Sequence, residues 1–486
     1  MKRLFIFGAA GFFQRNRHTA RSNPVIFLTV LLMTVYGVCV LHAAPKSSDK
    51  AITSFSITGA AGIIDEKTIT VDMTQLPLFA RIDALVATFK TNGKAVRVGS
   101  KDQVSGKTAN DFTKPVLYTV TAADGSTGSY TVRALVSKIV SISGYSDTLI
   151  VGSDGSLWGT GRNGDGQLGL GNTNSVTVPK QILANGVAAV SAGYYHTLIL
   201  KTDGSLWATG YNKSGQLGNG TTTSLSAPVQ IFADGVASVS AGVNFSLIVK
   251  TDGSLWVTGA NSAGQLGTGT TANVLVPVRV IETGVASVSG GESHTLIVKT
   301  DGSLWAMGAN THGQLGTGAN TASTTPVQIV ESGAASASAG RSHSLFVKTD
   351  GSRGGMGYNN FGHLGTGTTT DVPSPVRILE SGVASVSAGG DHTLILKTDG
   401  SLWAMGYNKS GQVGIGSKDD IVLVPTRILA SGVAAVSAGL VHSVFLKTDH
   451  SLWATGYNNN GELGIGNGSG VLKPVQVKRP SLSKDD

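Results

Sequence analysis

Five histidines, His196, His294, His343, His392 and His442, recur in one register of the 486-residue chain, each after the phrase SAG or SGG and two variable residues. Imidazoles can hold a metal or move protons. Here they come one per repeat with no HExxH or other close pair, so the spacing fits a structural hydrogen bond at the turn better than a metal centre. Asp147 and Phe245 stand in the same column in the remaining two repeats. Gly159 to Gly164 spells GxGxxG, but no amphipathic helix follows, so a dinucleotide site is not expected. The TDGS turns carry one aspartate each and lack the alternating oxygen ligands of a calcium loop; a type I turn accounts for them. His450, His312 and His363 read as surface variants. No nucleophile stands near a base outside the repeat pattern. The expectation is a protein without catalytic residues, cofactor or metal, and not an enzyme.

The elements that would carry these residues follow from the repeat. Trp158, Trp207, Trp256 and Trp305 are spaced by 49 residues; the same step reaches Gly354 and then Trp403, and one step of 50 reaches Trp453. All six tryptophans of the chain occupy this column, which reads as repeated core packing. GQLG and a later proline march in step. Each unit offers four short strands of the type HTLILKT, SLWATGYN, PVQI and VASVSAG, separated by glycine turns. Four strands per repeat of this length describe a propeller blade, and seven repeats describe a seven-bladed β-propeller. The first phrase looks like the second half of a unit and the last like the first half. The expected closure is therefore one mixed blade shared by the N- and C-terminal strands. In the fifth repeat Arg353 and Gly354 replace Leu and Trp. Loss of a buried ring costs roughly 3–5 kcal/mol, so this blade is expected to be the loosest.

The pattern SLWxxGxNxxGQLGxG, then proline, then VSAGxxHTLxLKTDG resembles the regulator-of-chromosome-condensation repeat. The resemblance implies a seven-bladed propeller. It implies function only broadly, since the family includes exchange factors for small GTPases and secreted bacterial inhibitors of β-lactamases. The exchange factors carry a loop extension for their partner, and the even spacing here leaves no such insertion.

Ahead of the propeller, ITSFSITG, KTITVDM, ALVATFK, KAVRVGS, VLYTVTA and SYTVRAL read as strands, with Asp124-Gly125 as a hairpin turn. The expectation for 45–136 is a β-sandwich. The run TANDFTKPVLYTVTAADGSTGSYTV resembles the cadherin-like or immunoglobulin-like modules of bacterial surface proteins, which implies a spacer. Residues 1–44 combine five basic residues, no acid and the 17-residue uncharged run Val25 to Leu41. They read as a signal peptide or an uncleaved signal anchor. Val38 before Cys39, the sole cysteine, argues against lipidation. The domain reading is thus 1–44 signal or anchor, 45–136 sandwich, 137–480 propeller and 481–486 polar tail.

The formal charge of +8 divides as +5 in 1–44, +3 in 45–136 (11 basic, 8 acidic) and zero in 137–486 (21 of each). A neutral propeller gives no support for phosphate binding, so nucleic acid is not an expected partner.

If the strands are consecutive and antiparallel, the AGxxH turns and the NxxGQLGxG loops share one face. Its two-residue slots vary while the frame does not, which is how a loop face acquires specificity. The candidate partner-binding residues are Tyr194, Tyr195, Asn244, Phe245, Glu292, Arg341 and Asp391. The reading is an exported bacterial binding protein, monomeric and periplasmic, cell-surface or extracellular, whose loop face recognises a protein or glycan. Alternatives are a secreted enzyme inhibitor of the β-lactamase-inhibitor kind, a small-GTPase exchange factor or a glycan-active enzyme. Membrane contact is expected only through an uncleaved anchor.

Overall fold

The computed structural model describes residues 46–73, 82–417 and 419–478. The readings of 1–44 and 481–486 lie outside them. The described residues are all-β, with no helix.

Seven four-stranded sheets follow one another from Ile139 to Gln476. Blade one comprises Ile139–Gly144, Asp147–Gly152, Leu157–Gly161 and Val176–Leu183; blade seven comprises Val433–Ala438, His442–Lys447, Leu452–Gly456 and Val471–Gln476. Blades two to six begin at Val187, Val236, Val285, Ala334 and Val383. Within every blade the strands are antiparallel and in chain order. The expected mixed blade is therefore not formed. A periodic sequence carries no phase, and the break between blades falls at the turn before VASVSAG, so both ends of the propeller are blade boundaries.

Burial follows position in the blade. The first strands touch their counterparts in neighbouring blades and form the inner ring. The second strand is pressed between two neighbours. In blade two, His196–Lys201 is buried through its first five residues, which explains an unbroken TLIL run where alternation would suit a half-exposed strand. The fourth strand, Leu225–Phe232 in the same blade, is only half-buried and forms the rim. Leu157, Leu206, Leu255 and Leu304 are fully enclosed, each stabilising by roughly 1.5–3 kcal/mol.

Each seam carries the same polar stitches. The first-strand serine accepts the backbone N–H at the end of the next blade's first strand, from Ser143 Oγ and Ala192 N (2.9 Å) round to Ser437 Oγ and Gly144 N (3.1 Å). The loop after the third strand donates to the next blade's fourth strand, as in Gly171 N to Ser226 O (2.8 Å) and, across the closure, Gly466 N to Thr177 O (2.8 Å). The seam between blades seven and one is thus built like the others. One glycine column is required by these approaches. Gly210 has φ of 112°, and a Cβ there would stand 2.7 Å from His196 Cα and 3.2 Å from Gln167 Cα of the preceding blade.

The tryptophans belong to the rim. Trp158 is buried, whereas Trp207, Trp256, Trp305, Trp403 and Trp453 are half-buried against the blade cores. Their indole N–H groups donate to the turn serine, as Trp305 Nε1 does to Ser303 Oγ (2.8 Å), and that serine donates to Asp301 Oδ1. A lysine covers the exposed ring face, Lys299 Nζ lying 4.1 Å from the Trp305 centroid. In blade five the Phe346 ring packs over Gly354, so that a Cβ there would overlap it.

The N-terminal module departs from the expected sandwich. Its described residues form one nine-stranded sheet running in spatial order Lys101–Asp102, Ala95–Val98, Val116–Thr121, Thr127–Leu135, Thr68–Asp72, Ala60–Asp65, Ile52–Ile57, Leu85–Thr91 and Ala109–Asn110. Thr68–Asp72 and Thr127–Leu135 pair in parallel, which joins what would have been two sheets. The sheet curls around one core: Phe55 and Tyr118, from strands four places apart in the order, meet edge to face at 5.2 Å. The hairpin at Asp124-Gly125 forms as expected, with Asp124 Oδ1 accepting from Ser126 N (2.8 Å) and Gly125 at φ of 90°.

Candidate functional site

The antiparallel order places the turns after the first strands and the loops after the third strands on one face of the ring. Around the inner ring four of the seven junctions between these turns are bonded backbone to backbone. Val243 N donates to Gly291 O (3.2 Å), Arg341 N to Gly389 O (3.3 Å), Gly390 N to Gly439 O (3.2 Å) and Leu440 N to Tyr145 O (2.7 Å). The variable slots therefore stand on a rigid inner rim.

Two of the expected residues form an aromatic cluster with three that the sequence reading passed over. Tyr145 meets Tyr194 edge to face at 5.6 Å, Tyr194 meets Tyr195 at 4.0 Å and Tyr195 meets Tyr211 at 5.5 Å. The Arg162 guanidinium lies 4.8 Å from the Tyr195 centroid and 5.7 Å from that of Tyr194, and is steadied by Asp165 at 2.8 Å. Burial holds the Tyr145 phenol well above its ordinary pKa, with the Glu292 charge adding to the effect. Burial and Tyr194 push Tyr195 the same way. These phenols are neutral donors at physiological pH.

Three more candidates form an ion network. Arg341 Nε stands 3.1 Å from Glu292 Oε2, and its Nη1 3.7 Å from Asp391 Oδ2. Burial raises the Asp391 pKa, although the Arg341 charge opposes it. Burial pulls Arg341 down, but Glu292 and Asp391 together raise it further. The network and the aromatic cluster both stand in turns and loops of this one face, and the charges of Glu292, Arg341 and Asp391 are felt at the Tyr145 phenol. Asn244 is half-buried and spent within the frame, its Oδ1 accepting from Gln216 Nε2 at 3.2 Å. Phe245 is a correction. It is fully buried in the blade-three core and presents nothing to a partner, because its column points into the seam and not out of the turn.

The histidine column also points into the seam. His196, His294, His392 and His442 are enclosed, and each Nε2 meets a hydroxyl of the following blade: Ser246 (2.9 Å), Ser344 (3.0 Å), Ser443 (2.9 Å) and Thr148 (3.2 Å). Those hydroxyls donate their own hydrogen to the carbonyls of Gln216, Gln314, Gln412 and Glu462. Each imidazole must then be the donor, which fixes the Nε2–H tautomer. The expected structural hydrogen bond exists, but it runs between blades and not within the turn. Among the described residues no group of three or more His, Cys, Asp or Glu is placed to hold a metal.

A second aromatic cluster lies on the same face in the outer loops of blades four to six. His312 meets Tyr358 at 4.7 Å, Tyr358 meets Phe361 at 6.0 Å and Phe361 meets Tyr407 at 4.9 Å. His312 Nδ1 is 2.8 Å from Asp371 Oδ2. The available signal was Phe361, an aromatic in a slot that holds Asp165, Ser214, Ala263, His312, Ser410 and Asn460 elsewhere. His363, expected at the surface, is completely buried.

Solved structures share this fold. Human WBSCR16 is 24% identical with a TM-score of 0.57, covering 63% of this chain and 85% of its own. Yeast RCC1 (Prp20) with Kap60 bound is 22% identical with a TM-score of 0.61, covering 67% and 84%. Prp20p from Saccharomyces cerevisiae is 20% identical with a TM-score of 0.61, covering 71% and 88%. No curated protein matches the chain. The RCC1-like domain family matches residues 86–380, and the regulator of chromosome condensation (RCC1) repeat matches 383–412, 433–462 and 399–446. With more than half of its length matched and seven blades stitched in one way, this chain belongs to the RCC1-like domain family.

Proposed function

We propose that this chain is a non-enzymatic binding protein whose loop face, at the mouth of the propeller channel, captures a partner. The observation that carries the reading is the convergence of Tyr145, Tyr194, Tyr195 and Arg162 with the Glu292–Arg341–Asp391 network on that one mouth. Tyrosine and arginine held by a rigid frame are the usual anchors of a protein interface, since they give large contact area at low entropic cost. A protein partner is favoured over a glycan on this ground. Two of the structures that share the fold concern protein partners: one has Kap60 bound, and the other is described by its binding to Gsp1p and histones. The +5 N-terminus with its 17-residue uncharged run supports an exported, envelope or extracellular setting. The test compares capture of envelope components by the full chain and by Tyr195→Ala/Arg341→Ala. A component retained by the former and lost by the latter, while Asp252→Ala on the opposite face keeps it, supports the reading; equal capture by all three contradicts it.

A further inference from the structure

Blade five departs from the repeat at Arg353, Gly354 and His363, and the Arg353 side chain reaches the loop that carries His363. Arg353 stands where Leu157, Leu206, Leu255, Leu304, Leu402 and Leu452 stand in the other blades. His363 stands where they carry Gln167, Gln216, Gln265, Gln314, Gln412 and Glu462. Both are completely buried, as is His343. The equivalent Leu304 packs against Ala334, Phe346 and Met356 of the following blade, so this column faces the next seam. His363 O accepts from Thr393 Oγ1 of blade six at 2.8 Å, which places the cluster between blades five and six.

The His343 and His363 rings lie 4.4 Å apart, and Arg353 Nη1 donates to the adjoining Leu364 O at 2.9 Å. The remaining polar atoms are unspent. Among the described residues, Arg353 Nε and Nη2 and both ring nitrogens of His343 and of His363 find no hydrogen-bond partner. Among the described residues no carboxylate bonds Arg353. Asp371, whose charge reaches His363, is already engaged by His312 and by Asn359 N. Burial lowers the Arg353 pKa to about 9, which leaves it charged at neutral pH, while burial lowers His363 to about 4 and keeps that ring neutral. An enclosed cation with two idle donors is among the costliest arrangements a fold can contain, because the desolvation penalty is not offset by a partner.

We propose that the seam between blades five and six binds one small anion of halide size, held by Arg353 Nε and Nη2 and faced by N–H donors of His343 and His363. The anion supplies the missing countercharge. Complete enclosure selects a small ion, for a halide needs little more space than the ~30 Å³ of one water. The ion also replaces a stitch, since the His343 Nε2 bond to the next blade is the one histidine relay that does not form.

The test uses the full chain and Arg353→Leu, which restores the residue of the other blades and removes the charge. Unfolding midpoints are measured against sodium bromide and against sodium gluconate at equal ionic strength. In the natural chain the midpoint should climb by a few degrees in bromide and saturate, as for a ligand bound only by the folded state. Arg353→Leu should give the same midpoint in both salts. Crystals soaked in bromide should show an anomalous peak within hydrogen-bond distance of Arg353. Equal midpoints in the two salts for the natural chain, an equal bromide response in Arg353→Leu, or a water without anomalous signal at the guanidinium would each overturn the proposal.

Discussion

His442 and Thr148 are 294 residues apart in the chain and 3.2 Å apart in space. The imidazole of the last blade donates to a hydroxyl of the first, and that hydroxyl passes its hydrogen on to Glu462 O at 2.7 Å. This pair makes the closure a polar relay across a packed seam where no strand is exchanged.

Removing the relay should be felt across the whole ring. His442→Ala is expected to lower the unfolding free energy by ~1–3 kcal/mol, from the lost bond and the cavity left behind. Urea unfolding measures it. A change within about 0.5 kcal/mol, the scatter of an ordinary surface substitution, would show that the closure does not rest on this contact.

Acid should weaken the same seams. Burial lowers His196 and His392 to about 3 and His294 and His442 to about 4, from 6.5 in the unfolded chain. The unfolded state therefore takes up protons that the folded state refuses. Stability is complete above pH 6.5 and is lost as pH falls, down to about 4 for His294 and His442 and about 3 for His196 and His392, by about 1.4 kcal/mol per unit for each histidine. The slope of unfolding free energy against pH between 6 and 4.5 should fall by close to one proton in His442→Gln. An unchanged slope would mean that this ring titrates normally.

His450 occupies the turn position that glycine holds in the other blades and is exposed with φ of 64°. An L side chain in the left-handed region costs roughly 1–2 kcal/mol. His450→Gly should raise the unfolding free energy by ~1 kcal/mol. Thermal unfolding decides it, and a lower midpoint would contradict the turn geometry.

Much of the fold was legible because the repeat is nearly exact. Tryptophan, glycine and proline columns 49 residues apart leave little choice but seven equal sheets. The phase of the blades was not legible, since a periodic string reads equally well from any starting strand. The N-terminal strands were legible one by one, but their order was not. The parallel pairing of Thr68–Asp72 with Thr127–Leu135 is a long-range contact without a local mark. Tyr194, Tyr195, Glu292, Arg341 and Asp391 were legible as residues of the loop face, because variation in a fixed frame marks a surface turn. Phe245 and His363 were misplaced for one reason: residue type at a loop boundary does not tell whether a side chain leaves the turn or enters the seam. Tyr145, Arg162 and Tyr211 joined the aromatic cluster only through the closeness of neighbouring blades.

The proposal that the channel mouth captures a partner is tested most directly by photo-crosslinking from two positions. A photoreactive residue replaces Tyr195 at the mouth or Thr283 on the opposite face, and labelled chain is titrated against the extract in which a partner is sought. The account predicts one saturable adduct from position 195, displaced by unlabelled natural chain and absent from position 283. The same adduct from both positions, or adducts that unlabelled chain does not displace, would contradict it.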